Sequence, residues 1–131
     1  MPAYLLDTDT VSYYFQQRGD VVARLTAHPP SALCISSLTL AELRHGASRV
    51  RSARLHAMID EFIQSIAVSP FDRLAADHFG QVAAALTSRG VPIGTIDTLL
   101  AAQAVAHKLV LVTNNTNHFS RVPGLRTENW L

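Results

Sequence analysis

The chain has 131 residues, 48% of them apolar, which is enough for one compact domain with a full core. Eleven basic against ten acidic side chains leave a net charge of +1, which excludes a protein that holds nucleic acid by bulk charge alone. No apolar run approaches the ~20 residues needed to span a bilayer, and Asp7 and Asp9 interrupt the start where a secretory signal would be apolar, so the expectation is a soluble, cytoplasmic protein with residues 1–131 as a single domain.

In chain order, residues 3–6 (Ala-Tyr-Leu-Leu) form a short predicted strand, and residues 10–17 a helix that stops at Gly19. Asp20 can cap a second helix, which ends before Pro29-Pro30. A second strand spans residues 32–36 and includes the lone cysteine, Cys34, which reads as a small core residue in a reducing compartment. Helices follow over residues 38–47 and 53–64, then a short strand at 66–68. Residues 72–88 form a long amphipathic helix closed by Gly90, and residues 95–107 another helix. Leu109-Val110-Leu111-Val112 is wholly apolar, as buried parallel strands are. Residues 125–129 add a final edge strand. Strands alternating with helices predict an α/β sandwich around a parallel sheet, whose ligand site lies at the carboxyl ends of the strands.

That rule singles out an acidic constellation. Asp7 follows the first strand, Glu42 lies on the helix after the second, Asp97 opens the helix before the last buried strand, and Thr113-Asn114-Asn115 follow that strand. Two unit charges ~4 Å apart repel by about 4 kcal/mol at an effective dielectric near 20, so clustered carboxylates need protons or a cation. Oxygen donors without a thiolate favour Mg²⁺ or Mn²⁺. Each acid also has a plainer reading. Glu42 closes Thr39-Leu40-Ala41-Glu42, a capping-box pattern, although Ser36 or Ser37 could cap the helix earlier. Asp97 could complement a helix dipole, and Asp7 could cap the first helix in competition with Asp9 and Thr10. All these readings holding at once is a weaker account than one shared site.

Leu5-Leu6-Asp7-Thr8-Asp9-Thr10 resembles the opening motif of PIN-domain ribonucleases of the VapC toxin family. Residues 35–43 (Ile-Ser-Ser-Leu-Thr-Leu-Ala-Glu-Leu) with Gly46 resemble that family's second motif, and Pro92-Ile93-Gly94-Thr95-Ile96-Asp97 with Ala101-Ala102 the third. Val112-Thr113-Asn114-Asn115 with Phe119, then Val122-Pro123-Gly124-Leu125 and Trp130, resemble the fourth motif and the tail. The resemblance implies a PIN-like three-layer α/β/α sandwich with a parallel sheet of about four to five strands. It further implies a homodimer, Mg²⁺- or Mn²⁺-dependent endonuclease cleavage of RNA, and a VapB-like antitoxin that blocks the site, as in type II toxin–antitoxin systems. Carried over to this chain, Asp7, Glu42 and Asp97 would bind the metal. Asn115 would be a catalytic neighbour where many members have a fourth acid, and Asp9, Thr113 and Asn114 would support the site.

Two positions depart from the family pattern. Asn115 is neutral and adds no charge, and Asp9 replaces the usual asparagine, either orienting Asp7 or restoring charge. His118 stands where some members have a glutamate. Two alternatives stay open: a degenerate PIN fold that binds RNA or a partner without cutting, and a phosphohydrolase of the HAD type, which would need a lysine and an acidic pair after later strands. Arg44, His45, Arg49, Arg51 and Arg54 form a basic run that could contact RNA or antitoxin, although a solvated helix face is the commoner meaning of such a run. Only Lys108 among the basic residues is a lysine, and the histidines show no zinc spacing. Phe62, Phe71 and Phe79 read as core, and Asp60, Glu61, Asp72 and Asp77 as surface or cap residues.

Overall fold

A computed structural model describes residues 2–131. Strands β1 (Tyr4–Leu6), β2 (Leu33–Ser36), β3 (Ala67–Ser69), β4 (Val110–Val112) and β5 (Thr127–Glu128) form a five-stranded sheet in the order β3-β2-β1-β4-β5. All four pairings are parallel, with Leu6 opposite Ile35 on one side and Val112 on the other. The helices are α1 (Thr8–Phe15), α2 (Val21–Thr26), α3 (Ser37–Arg49), α4 (Ala53–Ser65), α5 (Arg73–Ser88), α6 (Thr95–Ala106) and α7 (Thr116–Phe119).

Alternation along the strands divides the core in two. Leu5, Cys34 and Leu111 face one way and pack on Val82, Leu86, Leu100 and Phe119 from α5, α6 and α7. Leu6, Leu33, Ile35 and Val112 face the other way, against Val11, Leu25, Leu43, Ile59 and Phe62 from α1 to α4. The sheet is therefore covered on both faces, and the adjacent β1 and β4 read as unbroken apolar runs for that reason. Burial pushes the Cys34 thiol up to about 11, as expected of a core thiol. Trp130 is buried between Tyr4 and His28, which seats the C-terminal segment on the first strand.

Several boundaries differ from the sequence expectation. Helix α1 starts at Thr8 rather than residue 10, because Asp7 and neither Asp9 nor Thr10 is its cap. The second helix begins after Asp20 without a side-chain capping bond. Ser36 caps α3 by accepting from Leu38 N–H, so Glu42 lies well inside the helix and is not part of a capping box. The last strand shrinks to Thr127–Glu128, since only these residues pair with β4 before the chain turns inward to bury Trp130. A 3₁₀ turn at Pro30–Ala32 and the short helix α7 had no periodic signal. Gly19 is required where it stands: its φ is +59°, and an added Cβ would come within 2.7 Å of the Leu131 carbonyl oxygen. Among the described residues no helix is long and apolar enough to cross a membrane.

Candidate active site at the carboxyl edge of the sheet

From β1 the chain builds outward through β2 and β3 on one side and β4 and β5 on the other. The crevice at such a switch point opens beyond the carboxyl ends of the two central strands, here β1 and β4, and the residues that follow them are Asp7 and Thr113. Asp7 N–H donates to Val112 O at 3.0 Å, which holds the chain at the rim as it turns into α1.

Asp7 is buried, and its Oδ1 accepts from the Thr10 N–H at 2.8 Å. Burial holds its carboxyl above the usual aspartate range and the charge of Asp9 adds to this, while the Thr113 hydroxyl and the Thr10 amide oppose it. Thr113 is fully buried, and its Oγ1 also accepts from the Asn115 N–H at 3.0 Å.

Glu42 reaches the rim from α3, exposed, with its Oε1 accepting from Thr8 Oγ1 at 2.5 Å. Asp97 enters from the first turn of α6, which begins after Gly94 at a φ of +93°. His118 Nε2 lies 3.2 Å from Asp97 Oδ2 and 2.7 Å from the Ile93 carbonyl. Asp97 is held above its ordinary range, first by partial burial and then by the charges of Glu42 and Asp9, with His118 pulling it back. Acids from α1, α3 and α6 thus act on one another through a shared field.

The remaining expected residues divide. Asp9 is exposed and acts through charge on both Asp7 and Asp97. Asn115 is exposed at the start of α7, and its side chain makes no capping hydrogen bond. Asn114 is turned to Asn129, whose Nδ2 donates to it at 3.2 Å, so its bond runs to the C-terminal segment and not to an acid. Two contacts were missed from sequence: Thr8 on Glu42 and His118 on Asp97. Thr8 lies inside the first motif, but nothing local pairs it with a residue 34 positions away. Of the basic run, Arg44 bonds His56 and Asp60 and so ties α3 to α4, while His45, Arg49, Arg51 and Arg54 are exposed.

Among the described residues no three carboxylate, imidazole or thiolate groups form a ready-made coordination cage. Glu42 and Asp97 are instead turned to the neighbouring Thr8 and His118. The donor chemistry fits a hard divalent cation: oxygen ligands only, with two aspartates whose ionised forms burial and neighbouring charge disfavour. The geometry does not fit a HAD-type site. Lys108 precedes β4 and so sits at the amino end of the strand, while Asp7 follows its parallel neighbour β1 at the carboxyl end.

A PIN domain family model matches residues 4–125. Over 131 residues the chain is 37% identical to the tRNA(fMet)-specific endonuclease VapC of Salmonella typhimurium, with 99% of each chain covered. It is likewise 37% identical to ribonuclease VapC2 of Haemophilus influenzae, covering 100% of both. In the crystal structure of DNA-bound VapBC from Salmonella typhimurium, one chain superposes with a TM-score of 0.94 at 37% identity over 100% of both chains. The VapBC2 structure from Rickettsia felis, bound to a promoter DNA fragment, gives 0.86 at 30% identity, with 98% of each covered. A parallel α/β/α sandwich with acids at its carboxyl rim is the frame of a PIN domain. The chain belongs to the PIN-domain family and, within it, to the VapC toxins.

Proposed function

We propose that this chain is a Mg²⁺- or Mn²⁺-dependent endoribonuclease that acts as the toxin of a type II toxin–antitoxin system in the cytoplasm, with residues 1–131 as its single PIN domain. The observation that carries the proposal is the placement of the acids: Asp7 is buried at the end of β1, Glu42 accepts from the adjacent Thr8, and Asp97 meets His118 in the segment after the neighbouring β4. The ribonuclease names of full-length relatives support it.

Asp7, Glu42 and Asp97 would hold the ion. When bound, such an ion would offset the charge of the acids and of a phosphate and would lower the pKa of a water, the chemistry that phosphodiester hydrolysis needs. Asp7 is the buried member, held by the Thr10 N–H on its side chain and by its own N–H on Val112 O. Glu42 is the exposed one, free to exchange its Thr8 bond for another partner. His118 orients the Asp97 carboxylate, and Asn115 offers a neutral carbonyl oxygen at the rim. Transfer RNA is the first substrate to test, because the Salmonella and Shigella relatives are named for it.

The partner proposed is a VapB-like antitoxin, as in the VapBC structures, and the assembly a homodimer. A groove of about 470 Å³ between α1, α2 and α4, lined by Tyr14, Phe15, Leu25, Met58 and Phe62, suits an apolar antitoxin segment. A second reading, a PIN fold that binds without cutting, draws on the neutral Asn115. Inducing the chain alone and mapping new RNA ends in cells separates the two. Discrete cuts and arrested growth, both relieved by the antitoxin, support the toxin; a folded, abundant protein that leaves growth and RNA ends unchanged contradicts it.

A further inference from the structure

Helix α6 carries Asp97 and has no amphipathic stripe to set its rotation. Thr98, Leu100, Ala101, Ala102, Gln103 and Ala104 are all buried, so the middle of the helix is enclosed on nearly every side. Two polar side chains are buried on it: Thr98, which donates to the Gly94 carbonyl one turn back, and Gln103, an amide with no solvent exposure in a place where leucine would fill the space.

The hydrogen bonds of Gln103 run to the other half of the site. Gln103 Oε1 accepts from Ser36 Oγ at 2.6 Å, and Nε2 donates to the carbonyls of Ser69 at 3.1 Å and Pro70 at 3.3 Å. Ser36 in turn caps α3, the helix that carries Glu42. The same junction is closed twice more. Ser37 Oγ accepts from Phe71 N–H at 3.1 Å, and His107, the C-cap of α6 four residues beyond Gln103, bonds Asp72 at 3.0 Å. The clasp therefore joins α6, the carboxyl ends of β2 and β3, and the first residue pair of α3.

We propose that Gln103 is a positioning residue that sets the rotation of the Asp97 helix against the Glu42 helix. The inference rests on the metal-site reading above. A carboxylate about 6 Å from a helix axis moves roughly 1.5 Å when the helix turns 15°, while metal–oxygen distances tolerate about 0.2 Å. A fully satisfied polar cluster has one arrangement, which apolar packing alone does not enforce.

The test compares Gln103→Met, which keeps the volume and removes the bonds, with Ile59→Ala, a core change on the other face of the sheet. Two readouts are taken. Spin labels at His45 and Ile96, introduced through cysteines in a Cys34→Ala background, report the spacing of α3 and α6 by pulsed electron resonance without metal. Calorimetric titration with Mn²⁺ alone reports the site. Gln103→Met should widen the distance distribution and weaken Mn²⁺ binding about tenfold, the lower end of the loss seen when residues that orient metal ligands are removed. Ile59→Ala should lower the melting temperature comparably and change neither readout. An unchanged distance distribution in Gln103→Met overturns the proposal, as does an equal loss of Mn²⁺ binding in both variants. If the parent binds no Mn²⁺, the metal reading fails by itself, and the spin-label distances still decide the role of Gln103.

Discussion

His118 Nε2 stands 3.2 Å from Asp97 Oδ2, joining the segment after β4 to the first turn of α6. Burial and the charges of Glu42 and Asp9 raise the Asp97 carboxyl, and His118 opposes them. Removing the imidazole takes away the opposing influence, so Asp97 keeps its proton to higher pH. In His118→Ala the acid limb of Mn²⁺ binding should move to higher pH than in the parent. Titrations at several pH values check this; an unmoved limb means His118 does not act on Asp97.

Asp7 and Asp97 should cost the metal-free fold stability. An unfolded aspartate ionises near 3.8, and in the fold both are raised above that value. The folded chain therefore binds protons more tightly, so stability is lost as pH rises from 3.8 through the folded values, and the cost vanishes below 3.8. With chelator at neutral pH, Asp7→Asn and Asp97→Asn should melt a few degrees above the parent, and the gain should fade in acid. Asparagine at position 7 can still accept from Thr10 N–H, so the cap survives. Thermal scans across pH decide, and destabilised variants would contradict the sign.

Asn115 can be graded against the acids. Asn115→Asp is nearly isosteric and adds charge at the rim, so Mn²⁺ affinity should rise. Asn115→Ala should reduce cleavage less than loss of Asp7, Glu42 or Asp97, since it deletes only a neutral group. If it is as inactive as Asp97→Asn at saturating metal, that ranking is wrong.

Gly19 tests the seating of the C-terminal segment. A Cβ there meets the Leu131 oxygen in a left-handed backbone position, so Gly19→Ala should destabilise the fold by about 1–2 kcal/mol. Denaturant unfolding measures it, and an unchanged midpoint would show that this segment yields freely.

Much of the architecture was legible because its signals are local. An unbroken Leu109–Val112 run marks a strand covered on both faces, and Asp7 directly after β1 marks the carboxyl rim. The cap of α1 was ambiguous because Asp7, Asp9 and Thr10 all offer suitable side-chain oxygens within one turn. β5 was over-extended because two paired residues carry no usable period. Of the expected supports, Thr113 is buried at the end of β4 and accepts from the Asn115 N–H, whereas Asn114 bonds Asn129. The pairs Thr8–Glu42, His118–Asp97 and Ser36–Gln103 join distant segments, and no local pattern marks them.

Metal-dependent cutting of RNA through Asp7, Glu42 and Asp97 is open to direct assay. The direct measurement is cleavage of purified transfer RNA by partner-free protein, parent beside Asp97→Asn, across Mg²⁺ and Mn²⁺ concentrations and with chelator. The parent should make discrete cuts that require the ion, and Asp97→Asn, which remains folded by thermal melting, should make none. Undiminished cleavage by Asp97→Asn, or by the parent in excess chelator, would contradict that mechanism.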